Sequence, residues 1–439
     1  MKTAAAPIQS VEVETKTAKT KMAKTKLELK VSLKSRRFAF LPFAIVLALA
    51  VIAIPAAQSQ TFTLLHEFTA DGDGIEPASA PLLDPTGTLY GVTSKGGSFN
   101  YGTIYRIDSA TKEAILHSFL GGEGLDPLGG LIRDAQGNFY GTTVDGGMPE
   151  GGGCAHGCGT VFKRDSSGNQ SILYAFTGTT DGGAPNATLL RDAAGNFYGT
   201  TDTGGLPSCF ISFGCGVIFK LDAANHETVL YRFTDLTDGK DPVGLVADAS
   251  GNLYGTTYDG GIYGAGAVFK LAPSGTLTTL HSFSGGADSN NPNGHLIIDK
   301  AGNIYGTTNG GLLGSHSVGN VFKIDPAGNF TALYTFTGGA DGSYPNSVVM
   351  DASGNLYAVA YAGGTGTGCY YGSCGLVFKL DPSGNRTILH SFSGTDGQLP
   401  NSLTIDSAGN LYGTTLGGGK VTKKCSYYAG CGTVFKLTP

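Results

Sequence analysis

From residue 60 onward the chain alternates short apolar segments with clusters of Gly, Asp, Asn and Pro, and no stretch shows the 3.6-residue spacing of a helix. The segments recur in a fixed order. One copy starts with His295-Leu296-Ile297-Ile298, turns at Asp299-Lys300-Ala301-Gly302-Asn303 and continues through Ile304-Tyr305-Gly306-Thr307-Thr308 to Gly310-Gly311. It resumes at Asn320-Val321-Phe322-Lys323-Ile324, turns again at Asp325-Pro326-Ala327-Gly328-Asn329, and ends on Ala332-Leu333-Tyr334-Thr335-Phe336. Short runs rich in β-branched and aromatic residues, bounded by turn formers, predict four β-strands per copy.

Aligned on the tyrosine of the second segment, the copies fall at Tyr90, Tyr140, Tyr198, Tyr254, Tyr305, Tyr357 and Tyr412, a period of 50–58 residues. Seven four-stranded units at that period predict an all-β fold, a seven-bladed β-propeller. The ends of the repeat region agree with a closed ring. Leu64-Leu65-His66-Glu67-Phe68 matches the fourth strand of a unit, while the last unit stops after its third, at Phe435-Lys436-Leu437. The N-terminal strand is therefore expected to complete the last blade. With strands ordered from axis to rim, the Asp-x-x-Gly-Asn turns share one face, the bottom. The loops between strands two and three share the top with the blade-to-blade connections.

Residues 1–59 stand outside the repeat. Residues 1–37 are basic, and residues 38–59 hold a 17-residue apolar run, Phe38 to Ile54, followed by Pro55-Ala56-Ala57-Gln58-Ser59. This order predicts a secretory signal cleaved near Ala57 to Ser59, with an uncleaved membrane anchor as the rival reading. Met22 is an alternative start, and Ala39 breaks the twin-arginine pattern begun by Ser35-Arg36-Arg37. Residues 60–439 form the propeller. Ten of the 29 basic and three of the 34 acidic residues lie before residue 60, which leaves the propeller 19 basic and 31 acidic residues, a net charge of −12. Nucleic acid is not an expected partner of such a surface. Metal cations, Ca²⁺ among them, and cationic or neutral ligands suit it. A monomer is expected, meeting membrane only through its N-terminal segment.

The eight cysteines form four close pairs: Cys154 with Cys158, Cys209 with Cys215, Cys369 with Cys374, and Cys425 with Cys431. Loops between strands two and three that carry a pair are 10–13 residues long, those without are 4–7, and the second cysteine always precedes the glycine that opens strand three. Each pair is therefore expected to be a disulfide pinning a long loop, formed outside the cytoplasm. Zinc is the alternative, and only the first pair encloses a histidine, His156.

Four residues before a proline every copy has an acid: Asp73, Glu123, Asp181, Asp238, Asp288, Asp341 and Asp396. Converging carboxylates on the top face are candidate Ca²⁺ ligands. The same acids are equally the turn formers of a repeated Asp-Gly loop. One position of the rim strand holds His66, His117, His281 and His390 in four copies and Tyr174, Tyr231 and Tyr334 in three, an amphipathic ring whose tips are expected to meet water. His295 is a further candidate, since it starts an inner strand where the other copies have Ala80, Gly130, Thr188, Gly244, Ser347 and Ser402. Arg133 and Arg191 break the symmetry near the bottom turns and are candidate anion contacts. No nucleophile elbow or phosphate loop is present, and Trp is absent, so a sugar site would rest on loop tyrosines such as Tyr370, Tyr371, Tyr427 and Tyr428.

The blocks Gly-Asn-Leu-Tyr-Gly-Thr-Thr, Gly-x-Val-Phe-Lys-Leu, Asp-Pro-Ser-Gly and Leu-His-Ser-Phe-Ser-Gly, taken in order over residues 62–439, resemble the GloVer (Gloeo/Verruco) tandem repeat of secreted bacterial proteins. That resemblance implies a secreted repeat protein and no particular activity. The Asp-x-x-Gly-Asn-Leu-Tyr block also resembles NHL and gluconolactonase-like propellers, whose metal ligands find no counterpart here. The expected function is a non-catalytic module presenting top-face loops to an extracellular protein or glycan. The alternative is a metal-assisted hydrolase or lyase acting on a carbohydrate or lactone at the channel mouth.

Overall fold

The computed structural model describes residues 60–439 except 148–153, 207–208, 210–213, 311–317, 370–372 and 426–428. The N-terminal signal or anchor and the four loop tyrosines lie outside the described residues. Seven antiparallel sheets follow one another along the chain, each built from consecutive strands except the last. Blade 4 is typical: inner strand Lys240–Ala247, then Leu253–Asp259, Ala267–Leu271 and outer strand Leu277–Ser282. Blade 7 takes Gln398–Ile405, Leu411–Gly417 and Thr433–Thr438 from the C-terminus and Thr61–Glu67 from the N-terminus, with Thr61 opposite Thr438 and Glu67 opposite Thr433. The ring closes as the unpaired ends of the repeat predict. Helix is confined to two single 3₁₀ turns among the described residues, and none is long or apolar enough to cross a membrane.

Each recurring block has one structural job. In the bottom turns the aspartate accepts the amides two and four residues on, as Asp299 does from Ala301 and Asn303 at 2.9 Å each, while its second oxygen takes the Asn303 amide group at 2.7 Å. The tyrosine of the next strand closes the unit, Tyr305 donating to Asp299 at 3.0 Å. Asp-x-x-Gly-Asn-x-Tyr is thus a single hydrogen-bonded device, a side chain imitating a backbone turn.

A second device joins the blades. The phenylalanine ending each outer strand packs edge-on or tilted against the aromatic in the third strand of the next blade: Phe119 on Phe162, Phe233 on Phe269 and Phe392 on Phe435, with centroids 5.2, 5.3 and 5.2 Å apart. These rings are fully buried. They seal the wedge between blades and supply the offset geometry that aromatic pairs prefer.

Above them, the proline of each connection lies against the glycine opening strand three of the preceding blade. A Cβ on Gly266 would stand 2.5 Å from Pro292 Cδ, and one on Gly159 would stand 2.7 Å from Pro185 Cδ. This contact is why that glycine recurs. The residue before each proline takes a left-handed conformation in all seven blades, with φ of 58° at Glu76, 54° at Asp126, 53° at Ala184, 53° at Asp241, 52° at Asn291, 55° at Tyr344 and 57° at Leu399. Left-handed backbone is uncommon outside glycine. Here a bond holds it: the Asp241 amide donates to the Cys215 carbonyl at 3.2 Å, and that of Leu399 to Cys374 at 3.0 Å.

All four predicted disulfides are present. Cys154 is joined to Cys158, Cys209 to Cys215, Cys369 to Cys374 and Cys425 to Cys431, with Cα–Cα distances of 5.3, 5.6, 5.3 and 5.0 Å respectively. No cysteine remains free, so the zinc alternative has no thiolate to use. Cys158 and Cys431, each directly before the glycine of strand three, are buried, as are Cys215 and Cys374 at the same position. His156 is exposed beside the first bridge, and among the described residues it belongs to no group of three metal-ligating side chains. The bridges pack on the outer connection of their own blade; a Cβ on Gly178 would touch Cys158 Sγ at 2.4 Å and Cys154 Sγ at 2.6 Å, and one on Gly394 would touch Cys369 Sγ at 3.3 Å.

Candidate functional site

The seven acids four residues before proline are distributed one per blade connection, each engaged locally. The carboxylate of Asp181 accepts from the Thr177 amide at 2.9 Å and from Tyr174 Oη at 3.0 Å, and Asp238 repeats this with Thr234 and Tyr231, both at 3.0 Å. Asp288 meets His281 at 3.1 Å, Asp396 meets His390 at 2.9 Å, Glu123 meets His117 at 3.0 Å and Asp341 meets Tyr334 at 2.6 Å. In the first connection His66 stands 3.7 Å from Asp73. The His/Tyr ring of the rim strands and the acid ring are therefore partners, which corrects the expectation that the tips meet water. Either side chain presents a donor at the same height, which explains their interchange. Among the described residues, no three of His, Cys, Asp and Glu are grouped to hold a metal.

His295 lies elsewhere. It borders the axial cavity of about 710 Å³, which the inner strands of all seven blades enclose. Its ring packs on the neighbouring blade at Gly244, where a Cβ would stand 2.7 Å from Nδ1. Burial pulls its pKa below the usual histidine value, so the imidazole is neutral at pH 7.

The cavity mouth is where the copies diverge. The left-handed residue before proline is Glu76, Asp126 or Asp241 in blades 1, 2 and 4, but Asn291, Tyr344 and Leu399 in blades 5, 6 and 7. At or just past the end of strand two stand Asp145, Asp202 and Asp259 in blades 2, 3 and 4, and of these Asp202 borders the cavity. The acids bordering the cavity, Glu76, Asp202 and Asp241, thus come from blades 1, 3 and 4, and blades 5 to 7 give it a side without acids.

These acids are unequal. Glu76 pairs with Lys95 at 3.0 Å, and Asp259 accepts from Asn291 Nδ2 at 2.7 Å. Asp202 accepts from Asn186 Nδ2 at 2.7 Å, yet burial and the nearby charge of Asp241 push its pKa up to about 7. Asp241 is raised to about 6 by burial and by Asp259. Burial, with Asp145 close by, raises Asp126, and burial raises Asp145. Like charges in low dielectric disfavour joint ionisation. Asp202 and Asp241 have no ion-pair partner among the described residues, and both border the cavity with His295. Two residues separate Asp241 from Gly244, the glycine under the His295 ring, on one inner strand.

The sequence reading assigns none of Glu76, Asp202 and Asp241 to a site. Their signal is irregularity: acids directly before proline in three copies, and an acid after Thr200-Thr201 in one. No described residue of the cysteine loops borders the cavity.

A sequence profile described as the Gloeobacter/Verrucomicrobia repeat matches the chain in tandem over residues 51–213, 150–371 and 211–435. No curated protein matches it in sequence. Among solved structures, a catalytically inactive histidine-to-alanine variant of virginiamycin B lyase from Staphylococcus aureus, with quinupristin, superposes with a TM-score of 0.57 at 12% identity, covering 87% of this chain and 99% of that one. A streptogramin B lyase gives 0.56 at 11% identity, covering 86% and 97%. The extracellular domain of a hybrid two-component system from B. thetaiotaomicron gives 0.53 at 12% identity over 85% of this chain and 39% of that one. At these identities the likeness concerns the fold.

Proposed function

The chain belongs to the Gloeobacter/Verrucomicrobia repeat family, and since the residues its copies share are consumed in building blades, we propose that the propeller is an exported, non-catalytic binding module whose ligand enters the top-face mouth. The ligand carries a cationic group beside a neutral, polar body. The observation behind this reading is the Asp202–Asp241 pair, two carboxylates raised by burial and by neighbouring acids, with no ion-pair partner among the described residues. A bound cation relieves that repulsion and is itself held in low dielectric, where charge recognition is strong. The neutral side, with Asn293, Asn346 and Asn401 on the cavity wall, suits a hydroxyl-bearing body. Export accords with four disulfides, which belong to oxidising compartments.

Calorimetry at pH 8 with an aminosugar, its neutral N-acetyl form and Ca²⁺ tests the proposal. The aminosugar is expected to bind, with affinity falling at least about tenfold in Asp202→Asn and Asp241→Asn, the loss of a charge-assisted contact. Equal binding of the neutral sugar, or tight binding of Ca²⁺ alone, overturns the cationic-ligand reading.

One observation favours a second reading, a lyase or hydrolase acting on a carbohydrate or lactone. A neutral His295 and an Asp202 that is half-protonated near neutrality border the same cavity, a base and an acid set apart by environment. Structural neighbours that are lyases, one inactivated by loss of a histidine, are consistent with it. Product formation abolished by His295→Ala with ligand binding retained would support this reading over the first.

A further inference from the structure

The last residue of strand three is apolar in six blades, where Ile107, Leu221, Leu271, Ile324, Leu380 and Leu437 are at most 2% exposed. In blade 2 it is Arg164. The exchange leaves a bottom-face cleft of about 270 Å³ between blades 1 and 2, bordered by Tyr90, Leu116 and Phe139 and holding Arg106, Arg133 and Arg164. A neighbouring cleft of about 390 Å³ shares Arg133 and extends the space toward Pro85. Arg106 is a second departure, since the other six copies have Lys163, Lys220, Lys270, Lys323, Lys379 and Lys436.

Two of the three guanidinium groups lack a neutralising carboxylate. Arg133 pairs with Asp84 at 3.2 Å and lies 5.4 Å above the Tyr90 ring and 5.3 Å above that of Phe139. Arg164 donates to the Gly168 carbonyl of its own turn. Neither Arg106 nor Arg164 has a carboxylate within ion-pair distance among the described residues, and Arg106 Nε is buried without a hydrogen-bond partner. The adjoining acids are engaged in their turns: Asp165 accepts from the Ser167 and Asn169 amides at 2.9 and 2.8 Å, and Asp134 from those of Gln136 and Asn138 at 3.0 and 2.9 Å. A buried cation without a partner is costly. Here three arginines meet where the repeat pattern calls for one lysine, one apolar residue and, in five of the other six copies, a further uncharged residue, in a propeller that is acidic as a whole.

We propose that this cleft binds an oxyanion, a carboxylate, sulfate or phosphate group, through Arg106 and Arg164, with Arg133 fixed over Tyr90 and Phe139 as the third donor. The planar guanidinium matches such groups in pairs of parallel hydrogen bonds. The anion is either free or the acidic group of a sugar unit, and the apolar wall at Leu116 and Phe139 accommodates a ring face.

The test uses the whole propeller, with calorimetric titration of inorganic phosphate, inorganic sulfate, galacturonate and a galacturonate trimer at pH 7 and low salt. Arg164→Leu and Arg106→Lys each install a residue type that other copies carry at the same position, so both are expected to fold. At least one probe is expected to bind the unaltered protein, and Arg164→Leu to weaken it at least about tenfold. Tighter binding of the trimer than of the inorganic ions identifies a glycan as the source of the anion; equal binding identifies a free anion. Absence of binding up to ~10 mM of every probe, or affinity unchanged in Arg164→Leu, overturns the proposal. Lys300→Ala, at an exposed bottom turn of blade 5, is the control and leaves this binding as it is.

Discussion

At the scale of single residues, what separates scaffold from site here is whether a polar group has found its partner within its own copy. Asp299 has four hydrogen bonds within six residues of chain. Asp202 has one from Asn186 and a like charge nearby. The consequence is a pH dependence with a definite sign. A carboxyl raised from an ordinary value to about 7 on folding binds more protons in the folded than in the unfolded state between about pH 4 and 7, so stability is greatest at the acid end of that window and is lost as pH rises through the folded pKa. Asp202→Asn removes this dependence. The variant is expected to unfold at a higher temperature than the unaltered protein at pH 8, by the equivalent of about 4 kcal/mol, and by less than about half of that at pH 5. Thermal melts of both across pH 5 to 8 check this; parallel curves would show that Asp202 is ionised throughout.

At the scale of elements, the joint between blades is the unit that explains most of the sequence. The glycine before strand three, the proline of the next connection and the left-handed residue preceding it are far apart in sequence, yet they form one contact in space. Two glycines with similar backbones separate its parts. Gly266 has φ of 88° and Pro292 against it, whereas Gly275 has φ of 84° and nothing within 4 Å. Alanine at Gly275 is expected to cost about 1 kcal/mol, the strain of a left-handed residue. At Gly266 it adds a clash with a fixed ring, and a loss of roughly 3 kcal/mol is expected. Chemical denaturation of the two variants gives the difference, and equal losses would mean that the proline contact does not limit the joint. The same joint shows what the chain discloses in advance. Strands, turns and disulfides such as Cys154 to Cys158 are legible because each is local and repeated seven or four times. The Tyr305–Asp299 bond and the His390–Asp396 pair are not, because a six-residue spacing does not say which side chains a turn brings face to face, and the left-handed residues are not, because a bond to the preceding blade holds them. The acid ring stands out in the sequence for its regularity, which is the mark of scaffold. The mouth acids Glu76, Asp202 and Asp241 carry no pattern at all, and only a comparison of copy against copy singles them out.

At the scale of the whole molecule, the ring gives the inner strands a common axis, and the proposed top-face site depends on that closure. The mouth draws residues from every blade, so a ring that opened at the joint of blade 7 would pull Ala78 and Ser79 away from Asn401 and Leu403 across the cavity wall. Closure rests on the strand Thr61–Glu67, which pairs with Thr433–Thr438, and on Phe68, fully buried against Tyr105 at 5.2 Å. Removing residues 60–68 strips blade 7 of its outer strand and bares an apolar sheet edge, which invites association between chains. With Phe62, Leu64, Leu65 and Phe68 all losing contacts, a loss on the order of 5 kcal/mol is expected, together with aggregation. Such a result alone would not distinguish a missing strand from a broken ring. Moving the same residues behind Pro439 through a short flexible linker does, because it restores the blade with the chain cut at a new place. The permuted protein is expected to melt in a single transition close to that of the unaltered one and to bind the same top-face ligand. If it instead melts as the truncated chain does, the N-terminal strand stabilises the ring by some means other than completing blade 7.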